Sequence, residues 1–347
     1  MFSRAMVLVL ILALALPVGV LAAPSNDNFA GATQITNLPY SANVDTTGAT
    51  FETNEPNPSC GYGYSLKTAW LAYTPSADVT LMAQVNYYNF PTILAVYTGS
   101  SVDSLSQIGC GLYYNTLAFK AQAGVTYYFQ LAGLYGDEGT IPFFLQIAPA
   151  PQVNPGFYPS DPNTFDYVNF YANTYDPAGV NGFTYNWTIS DGTTFDQYSF
   201  SHQFAADGNY TVNLTATTSD GRSASSSLSL QVRTKDVAIS KLSVPQTAAT
   251  NQTKTINVDV KNNRYSDYVT VNLYMGLPGG GQQSVGTLTI YVPAKAKQAT
   301  TFKFSYTFTN ADAAAGKVTF TAVANLANGR DAFPSDNTLI ASTNVNR

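Results

Sequence analysis

Charged side chains are scarce in this chain, at 11% of its residues. Thr, Asn, Ser and Tyr fill the space they leave. No cluster of Lys or Arg is present to neutralise phosphates, which argues against a nucleic-acid partner. The net charge of −5 is mild and spread along the chain. Histidine is rarer still, because His202 is the only one. Zinc sites that need two or more histidines are therefore excluded, and a Ser-His-Asp triad would have to use this single residue. His202 lies in FSHQF, alternating with Phe200 and Phe204. On a strand it shares their face and reads as a half-buried structural group. Gly-x-Ser-x-Gly, a phosphate loop and a metal-ligand cluster are also missing, which removes the commonest catalytic motifs. A carboxylate pair of the glycosidase kind stays open, because its partners can be distant in sequence.

Cysteine appears twice, as Cys60 and Cys110. In an oxidising compartment an isolated pair reads as one disulfide. The loop it closes, about fifty residues, makes it worth roughly 4 kcal/mol in the chain-entropy model. Nothing basic flanks either residue, so a reactive thiol is the weaker reading. A long helical period is missing as well; apolar and polar residues instead alternate in short runs.

Long apolar runs are confined to the N-terminus. Arg4 precedes MVLVLILALALPVGVLAA, which reads as a secretory signal peptide spanning residues 1–23. Val20 and Ala22 satisfy the small-residue rule for cleavage. The run approaches membrane-spanning length, but Pro17 and Gly19 break it just before its end. No Cys follows it, which argues against a lipid anchor, and TLIASTNVNR at the other end is polar. The expected product is soluble outside the cytoplasmic membrane, either secreted or at the cell surface. Its length, roughly 325 residues, suggests two or three domains. The 24 Tyr and 20 Phe favour strands.

Two seams divide the chain. IAPAPQVNPGFYPSDP, from Ile147 to Pro162, is Pro-rich, and VRTKDVAISKL begins at Val232. The expected division is 24–149, 150–234 and 235–347, three β-sandwiches in tandem with few contacts crossing between them. In FTYNWTISDG, Tyr185, Trp187 and Ile189 alternate with Asn186, Thr188 and Ser190. Trp187 thus points into a core, and Asp191-Gly192 supplies a turn. Tyr210, Val212, Leu214 and Ala216 repeat the pattern against Thr211, Asn213, Thr215 and Thr217.

The Trp187 strand, its Asp191-Gly192 turn and the later GNYTV strand make residues 150–234 resemble a PKD (polycystic kidney disease) domain, with Ser190 in place of a glycine. The resemblance implies an immunoglobulin-like sandwich, generally a non-catalytic spacer or binding module of extracellular proteins. It makes Trp187, Asp191, Gly192 and Tyr210 structural signature residues. Residues 25–148 carry SNDNFAGATQI, TAWLAYTPSADVTLMAQV, FPTILAVYTGSSVDSLSQIGC and AGVTYYFQLAG in order. They resemble the bacterial pre-peptidase C-terminal (PPC) β-sandwich. Tyr127, Phe129 and Leu131 read as one alternating face. Some members of these families bind calcium, which makes Asp27, Glu52 and Glu55 candidate ligands. Calcium needs six to eight oxygens, and carboxylates this sparse in Asn-rich loops read more readily as turn formers and caps. No metal or cofactor is therefore assigned.

The third segment alternates likewise: Val258 and Val260 against Asp259 and Lys261, then Phe302, Phe304, Tyr306 and Phe308 against Lys303, Ser305 and Thr307. Its order, ending in Asp336-Asn337, resembles the bacterial cell-adhesion-related CARDB module, although Lys261-Asn262-Asn263 departs from that pattern. GLPGGGQQ, Gly276 to Gln283, reads as a hairpin tip.

These features point to an all-β, non-catalytic, secreted or surface protein with a structural or adhesive role, in a matrix, surface layer or filament. Its expected partners are polysaccharide, protein or further copies of itself, with no membrane once the signal is removed. A carbohydrate- or protein-binding accessory to an exported hydrolase is the alternative. For that role Tyr62, Tyr64, Tyr87, Tyr88, Tyr113 and Tyr114 are the candidate ligand-facing aromatics, against the simpler reading that tyrosine covers sheet faces and edges. Asn186, Asn209, Asn213 and Asn251 open glycosylation sequons, which arise by chance in a chain rich in Asn and Thr.

Overall fold

The alternating runs become strands wherever one face meets a second sheet, and the architecture is almost entirely β. The computed structural model describes residues 22–61, 66–86, 90–113 and 115–346. They form tandem β-sandwiches gathered into two compact units. One unit runs to Gln152 and takes in Tyr175–Phe183 and Thr217–Ala224; the other holds Val153–Thr174, Thr184–Ala216 and Ser225 onward. Among the described residues no helix is long and apolar enough to cross a membrane.

In the first unit a five-stranded sheet has the order Thr33–Ile35, Lys67–Tyr73, Tyr127–Gly133, Thr92–Thr98 and Ser106–Leu112. A four-stranded sheet faces it, in the order Tyr40–Asp45, Thr140–Ile147, Val79–Val85 and Asn115–Ala121. Leu71, Leu81, Leu94, Phe129 and Phe143 fill the space between them. Tyr127, Phe129 and Leu131 share this inward face, as the alternation predicts, but the strand is not exposed on its other side. Gln130 and Ala132, on the opposite face of that strand, are also fully buried. The outer face of the five-stranded sheet carries its own apolar layers. Trp70, Ala95 and Tyr97 pack with Phe29 and Leu105, and Ile93, Ala132 and Leu134 pack with Phe51 and Cys60. Lys67–Tyr73 and Thr92–Thr98 are therefore buried on both faces, which explains their nearly continuous apolar sequence. Cys60 and Cys110 are bonded, with their Cα atoms 5.7 Å apart. The bond ties the covering segment to the sheet's edge strand.

The Trp187 strand, Phe183–Ile189, lies between Thr194–Phe195 and Gly208–Thr218, with Ser223–Val232 beyond. A three-stranded sheet of Gly156–Tyr158, Val168–Tyr171 and Ser199–His202 packs against it through Phe170 and Phe200. Further along, Val237–Ser243, Thr253–Asn262 and Thr300–Thr307 form one sheet. It faces a five-stranded sheet ordered Thr247–Ala249, Thr338–Asn346, Lys317–Leu326, Asp267–Gly276 and Gln282–Val292. Val258, Val271, Phe302 and Phe320 are central to that core.

The joint at Thr234 is not the sparse link expected from sequence. Thr234 is fully buried, and its N–H and hydroxyl both donate to Asp207 Oδ1 at 2.8 and 2.7 Å. Tyr265 Oη donates to Asp207 Oδ2 at 2.8 Å, and Arg233 lies over the Tyr265 ring. Lys235 Nζ reaches Asp267 at 2.6 Å, and Arg330 reaches Asp161 at 3.1 Å and Asp166 at 2.6 Å. Phe165 meets Phe333 edge to face. Few of these partners are close in sequence, so nothing local announces them.

Candidate functional site

Five of the six tyrosines singled out from sequence, Tyr62, Tyr64, Tyr87, Tyr88 and Tyr114, lie outside the described residues. Tyr113 is described. It is 48% exposed with φ at 65°, and its N–H donates to the Thr92 carbonyl at 2.9 Å. The pairings of Lys67 and Thr92 with Gly133, and of Ile93 with Leu112, put Tyr113 at one end of the five-stranded sheet.

The three carboxylates considered for calcium are held by protein donors. Both Asp27 oxygens accept from Thr50, through its N–H at 2.6 Å and its hydroxyl at 2.8 Å. Glu52 Oε2 accepts the Phe29 N–H at 3.0 Å. Glu55 is buried; its Oε1 accepts Trp70 Nε1 at 3.1 Å and Gln130 Nε2 at 2.8 Å, and its Oε2 accepts the Glu52 N–H at 2.7 Å. Tyr97 Oη donates to Gln130 Oε1 at 2.9 Å, which closes the network. Burial pushes the Glu55 carboxyl above its ordinary range despite these donors. Burial first, then the nearby Glu55 charge, pushes the Tyr97 hydroxyl up as well. The network pins the covering segment to the outer face of the sheet. Among the described residues no group of three or more His, Cys, Asp and Glu is arranged to hold a metal ion.

Of the four residues singled out in the middle segment, Trp187 is buried, Asp191 and Gly192 are in a turn, and Tyr210 is half-buried on a strand. Trp187 is fully buried, and its Nε1 donates to the Gln197 carbonyl at 3.0 Å. Gly192 sits at φ 95°, a value that favours glycine. Tyr210 Oη donates to the Ala206 carbonyl at 2.8 Å. Asp191 Oδ1 accepts the Thr193 N–H and hydroxyl, as a turn residue should. Its Oδ2 also meets His202 Nε2 at 2.7 Å, a pairing the sequence reading missed. Burial raises the Asp191 pKa, but the Thr193 bonds and then His202 outweigh it and hold the carboxyl below its usual range. The His202 ring stands edge-on to Phe204 at 4.6 Å. The pair joins the turn at Asp191 to the Ser199–His202 strand.

One exposed cluster went unnoticed in the sequence. The three-stranded sheet turns Phe157, Phe170 and Phe200 inward, and the alternate positions face out. Register sets Tyr158 opposite Asn169 and Gly156 opposite Tyr171, and on the other side Asn169 opposite Ser201 and Tyr171 opposite Ser199. Tyr167 immediately precedes the Val168–Tyr171 strand. Tyr158 and Tyr171, at outward positions of the sheet, are 71% and 39% exposed, and Tyr167, just before the Val168–Tyr171 strand, is 67% exposed. Ser201 Oγ donates to Asn169 Oδ1 at 2.5 Å. A Cβ on Gly156 would fall 2.4 Å from the Tyr171 ring, so glycine there lets the ring lie against the backbone. The alternation in Tyr167-Val-Asn-Phe-Tyr171 was the available signal. A groove of about 300 Å³ lies nearby, lined by Asp161, Arg233, Lys235 and Arg330. The ion pairs and ring contact of the joint already engage its charged groups.

Residues 149–233 match the PKD domain family. The PKD match covers about a quarter of the chain and includes Trp187, Asp191, Gly192, Tyr210 and the outward tyrosines. No curated protein matches the chain. Among solved structures, the chain is similar to the PKD1 domain of Vibrio anguillarum Epp at 22% identity, covering 25% of this chain and 96% of that one, with a TM-score of 0.22. A tetra-tandem repeat from the extending region of a large adhesion protein matches at 17% identity over 78% of this chain and 70% of that one, with a TM-score of 0.25. A β-sandwich carbohydrate-binding module of promiscuous specificity matches at 16% identity over 47% and 86%, also with a TM-score of 0.25. Likenesses at these scores carry no argument about what this chain does.

Proposed function

We propose that the chain is a secreted, non-catalytic protein with a structural or adhesive role at the cell surface or in the extracellular matrix. In this reading residues 1–23 direct export, and 24–149, 150–234 and 235–347 are three binding or spacer modules of PPC, PKD and CARDB type. The observation that carries it is the engagement of the reactive groups. Glu55, Asp191 and His202 are each bound into contacts that hold a loop, a turn or a sheet. The PKD match at 149–233 supports the same reading.

A second reading, a carbohydrate-binding module, has its own observation in Tyr158, Tyr167 and Tyr171. Tyrosine rings offer apolar faces to the C–H faces of sugars, and the neighbouring Asn and Ser offer hydrogen bonds without charge.

The test is a pull-down of residues 24–347 with the producer's own cells and with insoluble polysaccharides, with and without a calcium chelator. Saturable binding to cells or matrix supports the adhesive reading. Binding to one polysaccharide, reduced at least about tenfold when Tyr158 and Tyr167 become Ala, supports the second. Binding lost with chelator would bring calcium back. Binding to nothing, together with turnover of a supplied glycan or peptide, would overturn both.

A further inference from the structure

An eleven-residue strand of the second unit, Gln282–Val292, is also its least defended edge. Gln282–Val292 ends the five-stranded sheet and pairs only with Asp267–Gly276. An edge strand leaves a row of N–H and C=O groups free to template another strand, and proteins guard such edges with charge, proline, short length or a bulge. The neighbouring edges are guarded. Thr247–Ala249 has three residues, Val237–Ser243 carries Lys241 and Thr300–Thr307 carries Lys303. Ser223–Val232 is bracketed by Arg222 and Arg233. By contrast, no charged residue occurs between Asp267 and Lys295.

A bulge does interrupt this edge, but only near the tip. Leu273 pairs with Gly286 and Tyr274 with Ser284, which leaves Val285 as the extra residue. From Gly286 to Val292 the register is regular. We propose that this segment pairs, antiparallel and centred on Thr289, with the same segment of a second copy. The proposal rests on the structural or adhesive reading above and names the strand through which such a protein would associate.

The segment is complementary to itself under a two-fold axis. With Thr289 opposite Thr289, Thr287 falls opposite Tyr291 and Leu288 opposite Ile290. Thr287, Thr289 and Tyr291 are exposed on one face. Leu288 and Ile290 are half-buried on the other and pack against the core, so pairing would cover what remains of them. Aromatic and β-branched cross-strand pairs are favourable, and no like charges meet. An isologous two-fold contact is the commonest way for two copies to associate. A seven-residue strand pair is a small interface, of the weak class whose occupancy depends on local concentration.

Sedimentation velocity on residues 24–347, from about 5 µM to about 500 µM, tests the proposal. The wild-type chain is expected to shift from monomer to dimer across this range. Thr289→Lys and Thr289→Glu should each associate at least about fivefold more weakly, because like charges then sit directly opposite. An equimolar mixture of the two should recover wild-type association. Asn325→Lys, two strands further in on the same face, should associate as wild type does and controls for surface charge. Thermal melts of each variant establish that it is folded. A wild-type chain that stays monomeric, a folded Thr289→Lys variant that associates normally, or a mixture that fails to recover would each overturn the proposal. Surface binding by a strictly monomeric chain would sink it and leave the adhesive reading intact. A dimer that binds no surface would do the reverse.

Discussion

Glu55 shows how much one buried carboxylate can organise. Its oxygens hold Trp70, Gln130 and the Glu52 N–H, donors that come from the sheet and from the segment covering it. Glu55→Ala leaves these buried donors without an acceptor and should cost about 2–4 kcal/mol, read by urea denaturation. Its pKa in the fold lies above the unfolded value of 4.5. The folded state therefore holds this proton more tightly than the unfolded state. Its contribution to stability is fully present below pH 4.5 and is lost as pH rises through the folded value. Glu55→Gln should remove that component, so the variant's stability will vary less than wild type's across that window. Asp191 has the opposite sign. Its carboxyl is held below 3.8 in the fold, so its contribution is present above that value and is lost as pH falls through the folded one. Asp191→Asn keeps the turn acceptor for Thr193 and should cost under about 1 kcal/mol, less than Asp191→Ala.

At the scale of elements, two devices stand out. The covering segment of the first unit has no regular strand of its own over Phe51–Gly61, and the Cys60–Cys110 bond anchors it. Replacing both cysteines with Ser should lower the first unit's stability by about 4 kcal/mol, measured against the oxidised wild type in paired melts. The only α-helix among the described residues, Asn310–Ala315, is one short turn stabilised at both ends. Thr309 Oγ1 accepts the Asp312 N–H, Asp312 accepts the Thr309 N–H, and Gly316 closes the other end in a left-handed conformation. Asp312 also accepts from Tyr306 Oη at 2.9 Å, so Asp312→Ala should cost about 1–2 kcal/mol in urea. The Thr-x-x-Asp and Gly signals were present in sequence, but a helix this short shows no apolar period.

Across the whole molecule, ion pairs distant in sequence differ sharply in burial. Arg222 grips Asp176 with two bonds of 2.7 Å and meets Asp220 through Nε at 2.9 Å, and it also donates to the Pro149 carbonyl. Asp176 is 1% exposed at its side chain, so Arg222→Ala would strand a buried charge and should cost about 3 kcal/mol. Arg330 is 48% exposed and should cost under about 1 kcal/mol when replaced by Ala. A pair of urea titrations separates the two cases.

Period-two alternation was enough to read the all-β class, the inward Trp187, the outward Thr and Asn rows and the Asp191 turn, because a strand's own geometry assigns alternate residues to opposite faces. The disulfide followed from there being only two cysteines. None of this reveals which faces are covered twice. Gln130 and Ala132 are buried because the Phe51–Gly61 segment and its neighbours lie over a sheet face that the strand cannot anticipate. The Asp191–His202 pair, the Glu55 network, the Arg222 clamp and the Thr234 joint all unite residues from different strands or loops, so they exist only once the sheets have packed. The same holds for the open edge at Thr289: a charge-free stretch is visible in sequence, but whether it lies inside a sheet or at its margin depends on strand order.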